Sequence, residues 1–113
     1  MRTARESDFF IDLPEVGMFR FGKRTFRDRA DIKAAYLRYA KEWGDEDQEL
    51  AAYSSMLAVY KILCVECPSG WENVEDMEVT ETLDNKLFEL FRELSAKEEQ
   101  FRKGASEGGE TTG

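Results

Sequence analysis

The segment that most constrains the fold runs from Phe9 to Thr25 and reads FFIDLPEVGMFRFGKRT. Two short apolar runs flank the sequence LPEVG, in which proline presets φ for a turn and glycine supplies a positive φ. This pattern predicts a β-hairpin. Because a two-stranded hairpin is only marginally stable alone, its apolar side must pack on another element. Helical patterns fill the rest of the chain and are the only candidates.

Two helical patterns follow the hairpin directly. Thr25, with Asp28 three residues later, predicts a capping box for the first helix, and Gly44 predicts its end. Asp45 is the predicted N-cap of the second helix, and Pro68 its predicted stop. The first helix carries an apolar stripe at helical spacing: Ile32, Tyr36, Tyr39 and Trp43. The second has a broader apolar face, which predicts that it is the centre of the core: Leu50, Tyr53, Leu57, Tyr60 and Cys64.

An acidic stretch, 71–79, separates the second and third helical patterns. Isolated apolar residues within it predict an ordered surface loop lying over the core. Thr80 or Thr82 is the predicted cap of the third helix, and Gly104 its predicted end. That helix carries a leucine stripe followed by one phenylalanine: Leu83, Leu87, Leu90, Leu94 and Phe101.

The 113 residues are enough for one domain with a single modest core. We expect a flexible N-terminus over residues 1–8, a hairpin plus helical domain over 9–103, and a disordered Gly-rich tail over 104–113. The predicted fold is therefore mainly α, with about three helices and a short N-terminal β-hairpin.

The net charge of −8 is unevenly placed along the chain: residues 1–43 carry +3 and residues 44–113 carry −11. An acidic chain is a poor general ligand for nucleic acid. A basic cluster in the first part weakens that argument, although it is more typical of a solvated face: Arg20, Lys23, Arg24, Arg27, Arg29 and Lys33. No apolar run is long enough for a membrane span, and no signal peptide is recognisable. We expect neither nucleic-acid nor membrane partners, and a location in the cytoplasm.

Cys64 and Cys67 form a CxxC motif, which is found in redox pairs and in halves of zinc sites. A structural zinc site needs about four ligands, and the chain has no histidine and no other cysteine. A redox pair normally opens a helix, where the helix dipole lowers a thiol pKa, whereas this motif lies where a helix is predicted to end. We therefore expect small buried apolar side chains, with no metal and no redox activity.

Other catalytic patterns are lacking. Glu72, Glu75, Asp76 and Glu78 match no EF-hand spacing. The segment Gly22-Lys23-Arg24-Thr25 lacks the upstream glycine of a phosphate-binding loop, and no serine has a histidine to activate it. The sequence predicts no catalytic residues and no cofactor, and hence a binding protein rather than an enzyme.

Aromatic residues are numerous for a small core, since the chain has eight Phe, four Tyr and two Trp. We expect most of them to pack inside and the remainder to form an exposed patch that binds a partner. The predicted contact residues are Phe19 and Phe21 on the hairpin, and Phe88 and Phe91 on the third helix.

The order of these segments resembles the small tail assembly chaperones of long-tailed bacteriophages and prophages. The resemblance covers residues 9–104 and consists of four segments in order: the hairpin LPEVGMFRFGKRT, the helix DIKAAYLRYA, the segment KILCVECPSGW with the acidic loop after it, and the helix LFELFRELSAKEEQFRKG with a Gly-rich tail. The two cysteines are not part of the family pattern.

This resemblance implies a non-enzymatic factor that coats and solubilises the tape measure protein while the tail tube polymerises around it. Such a protein works in the host cytoplasm and is absent from the mature virion. In many relatives a frameshift adds a second domain that recruits tail tube protein, and the tail GASEGGETTG suits either a linker to such an extension or an ordinary terminus. A homo-oligomer is compatible with these expectations.

A second hypothesis comes from the acidic part of the chain. A small acidic regulatory protein can inhibit a basic protein by occupying its charged surface. The neighbouring genes discriminate between the two hypotheses. A tail protein gene upstream and a very long gene with coiled-coil character downstream favour the chaperone, whereas isolation beside a repressor gene favours the inhibitor.

Overall fold

A computed structural model describes the backbone of residues 2–44 and 46–112, and the side chains of residues 2–44 and 46–103. Its elements are strands β1 (Phe9–Leu13) and β2 (Gly17–Phe21), helices α1 (Phe26–Trp43) and α2 (Gln48–Leu63), strand β3 (Cys64–Glu66), a 3-10 turn (Val74–Asp76) and helix α3 (Glu81–Thr112). Within these described residues the three predicted helices are confirmed. The hairpin belongs to a three-stranded antiparallel sheet, so the fold is mixed α/β rather than mainly α.

The predicted hairpin is confirmed. Strands β1 and β2 pair in antiparallel register from Phe9 opposite Phe21 to Leu13 opposite Gly17. The amide of Val16 donates to the carbonyl of Leu13 at 3.0 Å, and Glu15, two residues after Leu13, has a φ of 69°. These features fit a type II turn in which Pro14 supplies the fixed φ of the first central position.

Strand β3 was not predicted. It follows α2 directly and pairs with β2, with Glu66 opposite Arg20 and Cys64 opposite Phe21, and the register shifts between those two pairs. Three residues are too few to show the alternation that identifies a strand from sequence. The sequence pattern therefore predicts a helix as far as Pro68, whereas α2 ends at Leu63.

Contacts divide the chain into two compact units, residues 1–77 and 78–113. In the first unit, α1 packs on α2, and the sheet buries the inward side of each strand. Leu57 of α2 is 6% exposed, as the predicted core position requires. The buried apolar side chains of this unit are Phe9, Ile11, Leu13, Phe19, Phe21, Ala35, Tyr39, Leu57, Ala58, Tyr60, Leu63, Cys64, Val65, Trp71 and Val74.

The N-terminal segment forms hydrogen bonds to the rest of the first unit, and the flexibility expected for residues 1–8 stays a prediction. The Arg2 guanidinium donates to the carboxylate of Asp28. The carboxylate of Asp8 accepts from the Arg5 amide at 2.8 Å and from Nε of Arg20 at 3.0 Å. These charged hydrogen bonds tie residues 2–8 to the helix and the sheet, and Met1 lies outside the described residues. Such long-range ion pairs have no local sequence signal.

The start of α2 also differs from the prediction. Asp47, not Asp45, is the N-cap, and its carboxylate accepts from the amides of Glu49 at 2.9 Å and Leu50 at 3.4 Å. Asp45 lies outside the described residues. Aspartate is a favourable N-cap residue at either position, so composition alone did not separate them.

The second unit consists mainly of α3. Thr80 is its N-cap, since its hydroxyl accepts from the amide of Leu83 at 3.0 Å. The backbone stays helical to Thr112, so the predicted end at Gly104 is wrong, whereas the expected disorder of residues 104–113 stays a prediction. Once a helix is nucleated, each further residue completes one hydrogen bond. The side chains of residues 104–113 lie outside the described residues, and their dispensability for folding stays a prediction.

Candidate functional site

An open groove between α1 and α2 is the candidate functional site. Its volume is about 630 Å³, and it combines cationic, aromatic and aliphatic side chains, although the chain as a whole is acidic. Its lining residues are Arg24, Phe26, Arg29, Ala30, Ile32, Lys33, Tyr36, Ser55 and Val59. All of them lie within the first compact unit.

Helical spacing places these residues on facing helices. On α1, Phe26, Arg29 and Lys33 are three and four residues apart, which puts them on one face. Ile32 and Tyr36 are one turn apart on the side that turns toward α2. Tyr36 is ten residues beyond Phe26, so the α1 wall is about 15 Å long at 1.5 Å per residue.

The groove has an apolar floor and a cationic rim. Ile32, Tyr36 and Val59 are half-buried and form the floor, whereas Arg29 and Lys33 are exposed. The ammonium of Lys33 lies 5.8 Å from the centre of the Tyr36 ring, a cation–π distance. Neither Arg29 nor Lys33 forms an ion pair within the described part of the chain.

Phe26, the first residue of α1, is the most exposed large apolar side chain among the described residues, at 87%. It lies at one end of the groove, beside Arg24 and the start of α1. A side chain of this size exposes enough apolar area to anchor a partner once that partner removes it from water.

A buried capping carboxylate fixes the end of the helix that carries Phe26. Oδ2 of Asp28 accepts from the Thr25 amide at 2.8 Å, and the Asp28 amide donates to the Thr25 hydroxyl at 3.1 Å, which confirms the predicted capping box. Burial alone raises the pKa of Asp28. Hydrogen bonds from Arg2 and Thr25 outweigh that effect and hold the pKa below its ordinary value.

Phe19 and Phe21, two of the predicted contact residues, are not on the surface. Both are fully buried. Their rings stack at 6.1 Å, and Phe19 meets Tyr60 and Trp71 edge to face at 6.3 and 5.3 Å. They form the aromatic core of the first unit, so the surface position expected for them is wrong. Their i, i+2 spacing on β2 is the signal of a buried strand face.

The outward face of the hairpin carries different side chains. Phe10 and Met18 are 50% and 53% exposed. The Arg20 guanidinium lies over the Phe10 ring at 5.4 Å and also pairs with Asp8 and Glu66. This face is therefore partly covered by a charged side chain that has its own partners.

Phe88 and Phe91, the predicted contact residues of α3, differ in exposure. Phe88 is 48% exposed, and Phe91 is half-buried. On the same helix, Leu87, Leu90 and Leu94 are buried. A role for Phe88 and Phe91 in partner binding stays a prediction.

The two cysteines are free thiols in contrasting surroundings. Cys64 is buried in β3, and Cys67 is half-buried beyond the strand. Burial raises the pKa of the Cys64 thiol to about 12. In the described residues, no three His, Cys, Asp or Glu side chains group as a metal site would require. That the protein binds no metal stays a prediction.

The acidic loop after α2 lies over the core, as predicted, and its isolated apolar residues are Trp71, Val74 and Met77. Trp71 and Val74 are buried, and Met77 is half-buried. The Tyr60 hydroxyl donates to the carbonyl of Trp71 at 2.7 Å, and burial raises the pKa of Tyr60. Through these contacts the loop covers part of the core of the first unit.

Sequence reasoning found the parts of the groove but not the groove. It placed Arg24, Arg29 and Lys33 in a solvated basic face, and Ile32 and Tyr36 in an apolar stripe at helical spacing. In the structure the buried residues of α1 are Asp28, Ala35 and Tyr39. Ile32 and Tyr36 therefore lie at the edge of the buried face of α1, where the apolar stripe of this helix meets its basic face.

Comparison with known proteins gave no match to a family model, to a curated protein or to a solved structure. Among the described residues, no helix is both long enough and apolar enough to cross a membrane.

Proposed function

We propose that this protein is a non-enzymatic tail assembly chaperone that holds one amphipathic helix of a tape measure protein in the groove between α1 and α2. The observation that carries the proposal is the groove itself, with its apolar floor open to solvent. Helix-in-groove binding is a general recognition mode in which the apolar face of a helix enters a hydrophobic groove.

The dimensions support a helical occupant. An α1 wall of about 15 Å accommodates roughly three turns of a helix. The apolar stripe of a partner helix would contact Ile32, Tyr36 and Val59, and Phe26 would cover one end. A long helical protein that exposes such stripes aggregates unless they are covered. Covering them is the activity that the resemblance to the tail assembly chaperones implies.

A small acidic inhibitor of a basic protein is the second candidate. The excess of −11 in residues 44–113 supports it. The cationic rim of the groove would repel a basic partner at that face, so an inhibitor would have to use another surface. The two candidates therefore differ in the surface that they use as well as in the partner.

Co-expression with the tape measure protein of the same genome tests the proposal. We expect the chain to raise the soluble fraction of that protein and to elute with it on size exclusion. Phe26→Ala should weaken the complex because it removes the exposed anchor. Leu37→Ala is the matched control, since Leu37 is 54% exposed on the same helix and lies outside the groove.

A tape measure protein that stays equally soluble with and without the chain, with no complex on size exclusion, contradicts the chaperone proposal and favours the inhibitor. A complex that Phe26→Ala and Leu37→Ala affect equally contradicts the assignment of the groove as the binding site.

A further inference from the structure

We infer that the groove between α1 and α2 selects an acidic amphipathic helix, in which carboxylates flank the apolar stripe. The inference rests on the proposed function, because it specifies the partner of that same groove. It goes further by fixing the sign of the charge that the partner must carry beside its apolar face.

The cationic rim carries the argument. Arg29 and Lys33 are one helical turn apart on α1 and line the same side of the groove. Side chains at this spacing lie about 6 Å apart, which matches two carboxylates one turn apart on an opposing helix. Arg24 adds a third cation near the end of the groove.

Charge balance within the chain supports the same conclusion. The chain has an excess of acidic residues, yet none of the described carboxylates pairs with Arg29 or Lys33. A partner that supplies carboxylates there gains charge complementarity, whereas a basic partner meets like charges at the rim. The rim thus sets specificity, and the floor supplies the apolar contact.

A nucleic acid fits the groove less well. Affinity for nucleic acid depends on neutralising phosphates, and the net charge of the chain is −8. The floor contains aliphatic Ile32 and Val59, with the ring of Tyr36 already facing Lys33. Binding to single strands usually uses a series of aromatic platforms for stacking. An acidic helix uses both features of the groove.

Three designed peptides of about 15 residues test the inference, since shorter isolated helices are marginal in water. The peptides share one leucine stripe and differ only in the flanking residues, which are glutamate, glutamine or lysine. Helix content is compared by circular dichroism, and affinity is measured by fluorescence anisotropy with the full chain at about 0.1 M salt. We expect the glutamate peptide to bind about tenfold more tightly than the glutamine peptide, and the lysine peptide to bind most weakly.

Charge reversal in the protein supplies the sharper test. Arg29→Glu with Lys33→Glu should reverse the order, so that the lysine peptide binds most tightly. The matched control is Arg27→Glu with Arg38→Glu, which makes the same charge change at exposed positions of the same helix outside the groove. The control should keep the preference for the glutamate peptide. Thermal melts establish that both variants are folded.

Equal binding of the glutamate and lysine peptides overturns the inference, as does a rim variant that behaves like its control. A single-stranded oligonucleotide that displaces the glutamate peptide at lower concentration assigns the groove to nucleic acid instead. Self-association of the chain that blocks all three peptides and is lost in Phe26→Ala assigns the groove to a second copy. Failure of the peptides beside a positive co-expression result overturns the acidic-helix inference alone and leaves the chaperone proposal standing.

Discussion

At the scale of single residues, Asp28 connects the N-terminal segment to the start of α1. Its carboxylate accepts hydrogen bonds from Arg2 and from the Thr25 amide, and it is 5% exposed. These donors favour the ionised form and keep the pKa of Asp28 below its ordinary value despite burial. A group of this kind makes the stability of the fold depend on pH.

We predict that Asp28→Asn lowers the free energy of unfolding at pH 7 by on the order of 1–2 kcal/mol. Because the folded-state pKa is below the unfolded one, the ionised carboxylate contributes its stability above about pH 4. That contribution is lost as the pH falls through the folded-state pKa. Urea titrations of both proteins between pH 7 and pH 3 should show a difference that shrinks on acidification. Asp31→Asn, exposed on the same helix, is the control, and a pH-independent difference would refute the prediction.

Glu15 is strained at the hairpin turn. Its φ of 69° lies in the left-handed region, where residues other than glycine, asparagine and aspartate are disfavoured. We predict that Glu15→Asn raises the free energy of unfolding by up to about 1 kcal/mol, because asparagine adopts this conformation more readily. Glu15→Gln is the matched control, since it removes the same charge without that tolerance. Equal stabilities of the two variants would trace the effect to charge.

At the scale of elements, local signals were predictable and tertiary ones were not. Pro14 specifies the turn, and Thr25 with Asp28 specifies the start of α1, because each signal acts within four residues. Strand β3 exists only through pairing with β2. The groove likewise depends on tertiary packing, because it forms where α2 does not cover the apolar stripe of α1. Neither relation is encoded within one window of sequence.

The residues predicted to contact a partner show the same difference between local signals and tertiary packing. The wrong surface prediction for Phe19 and Phe21 rests on the large number of aromatic residues in the chain relative to the size of its core. In the structure, rings 5–7 Å apart form one buried aromatic cluster. The core therefore holds Phe19 and Phe21, and the exposed aromatic side chains are different ones. Phe26, by contrast, has no such signal, because the residues three and four positions after it are Arg29 and Ala30, which add no large apolar side chain to a stripe.

Strand β3 also separates the chemistry of the two thiols. Burial and a pKa raised to about 12 leave Cys64 almost without thiolate near neutral pH, whereas Cys67 is half-buried. We predict that a thiol reagent labels one cysteine per native chain and two in denaturant. Cys67→Ser should abolish native labelling. Rapid labelling of both thiols in the folded protein would show that β3 does not protect Cys64.

At the scale of the whole molecule, charge acts in opposite directions at long and short range. The net charge of −8 repels an acidic helix at a distance, while Arg29 and Lys33 attract it inside the groove. Salt separates the two ranges, because the Debye length is about 30 Å at 0.01 M, 10 Å at 0.1 M and 3 Å at 1 M. Low salt therefore preserves the repulsion, and high salt weakens the attraction.

We predict that affinity for the glutamate-flanked peptide passes through a maximum near 0.1 M salt, measured by anisotropy from about 0.01 to 1 M. Near 0.1 M the field of distant carboxylates is screened, while cations at contact with the bound helix still act. Arg27→Glu with Arg38→Glu deepens the long-range repulsion without touching the groove, so it should lower affinity mainly on the low-salt side. Arg29→Glu with Lys33→Glu removes the short-range attraction and should eliminate the maximum. Affinity that only falls as salt rises would contradict this prediction. It would mean that attraction by the cationic rim exceeds the long-range repulsion at every salt concentration, and that the acidic remainder of the chain does not weaken binding of the peptide.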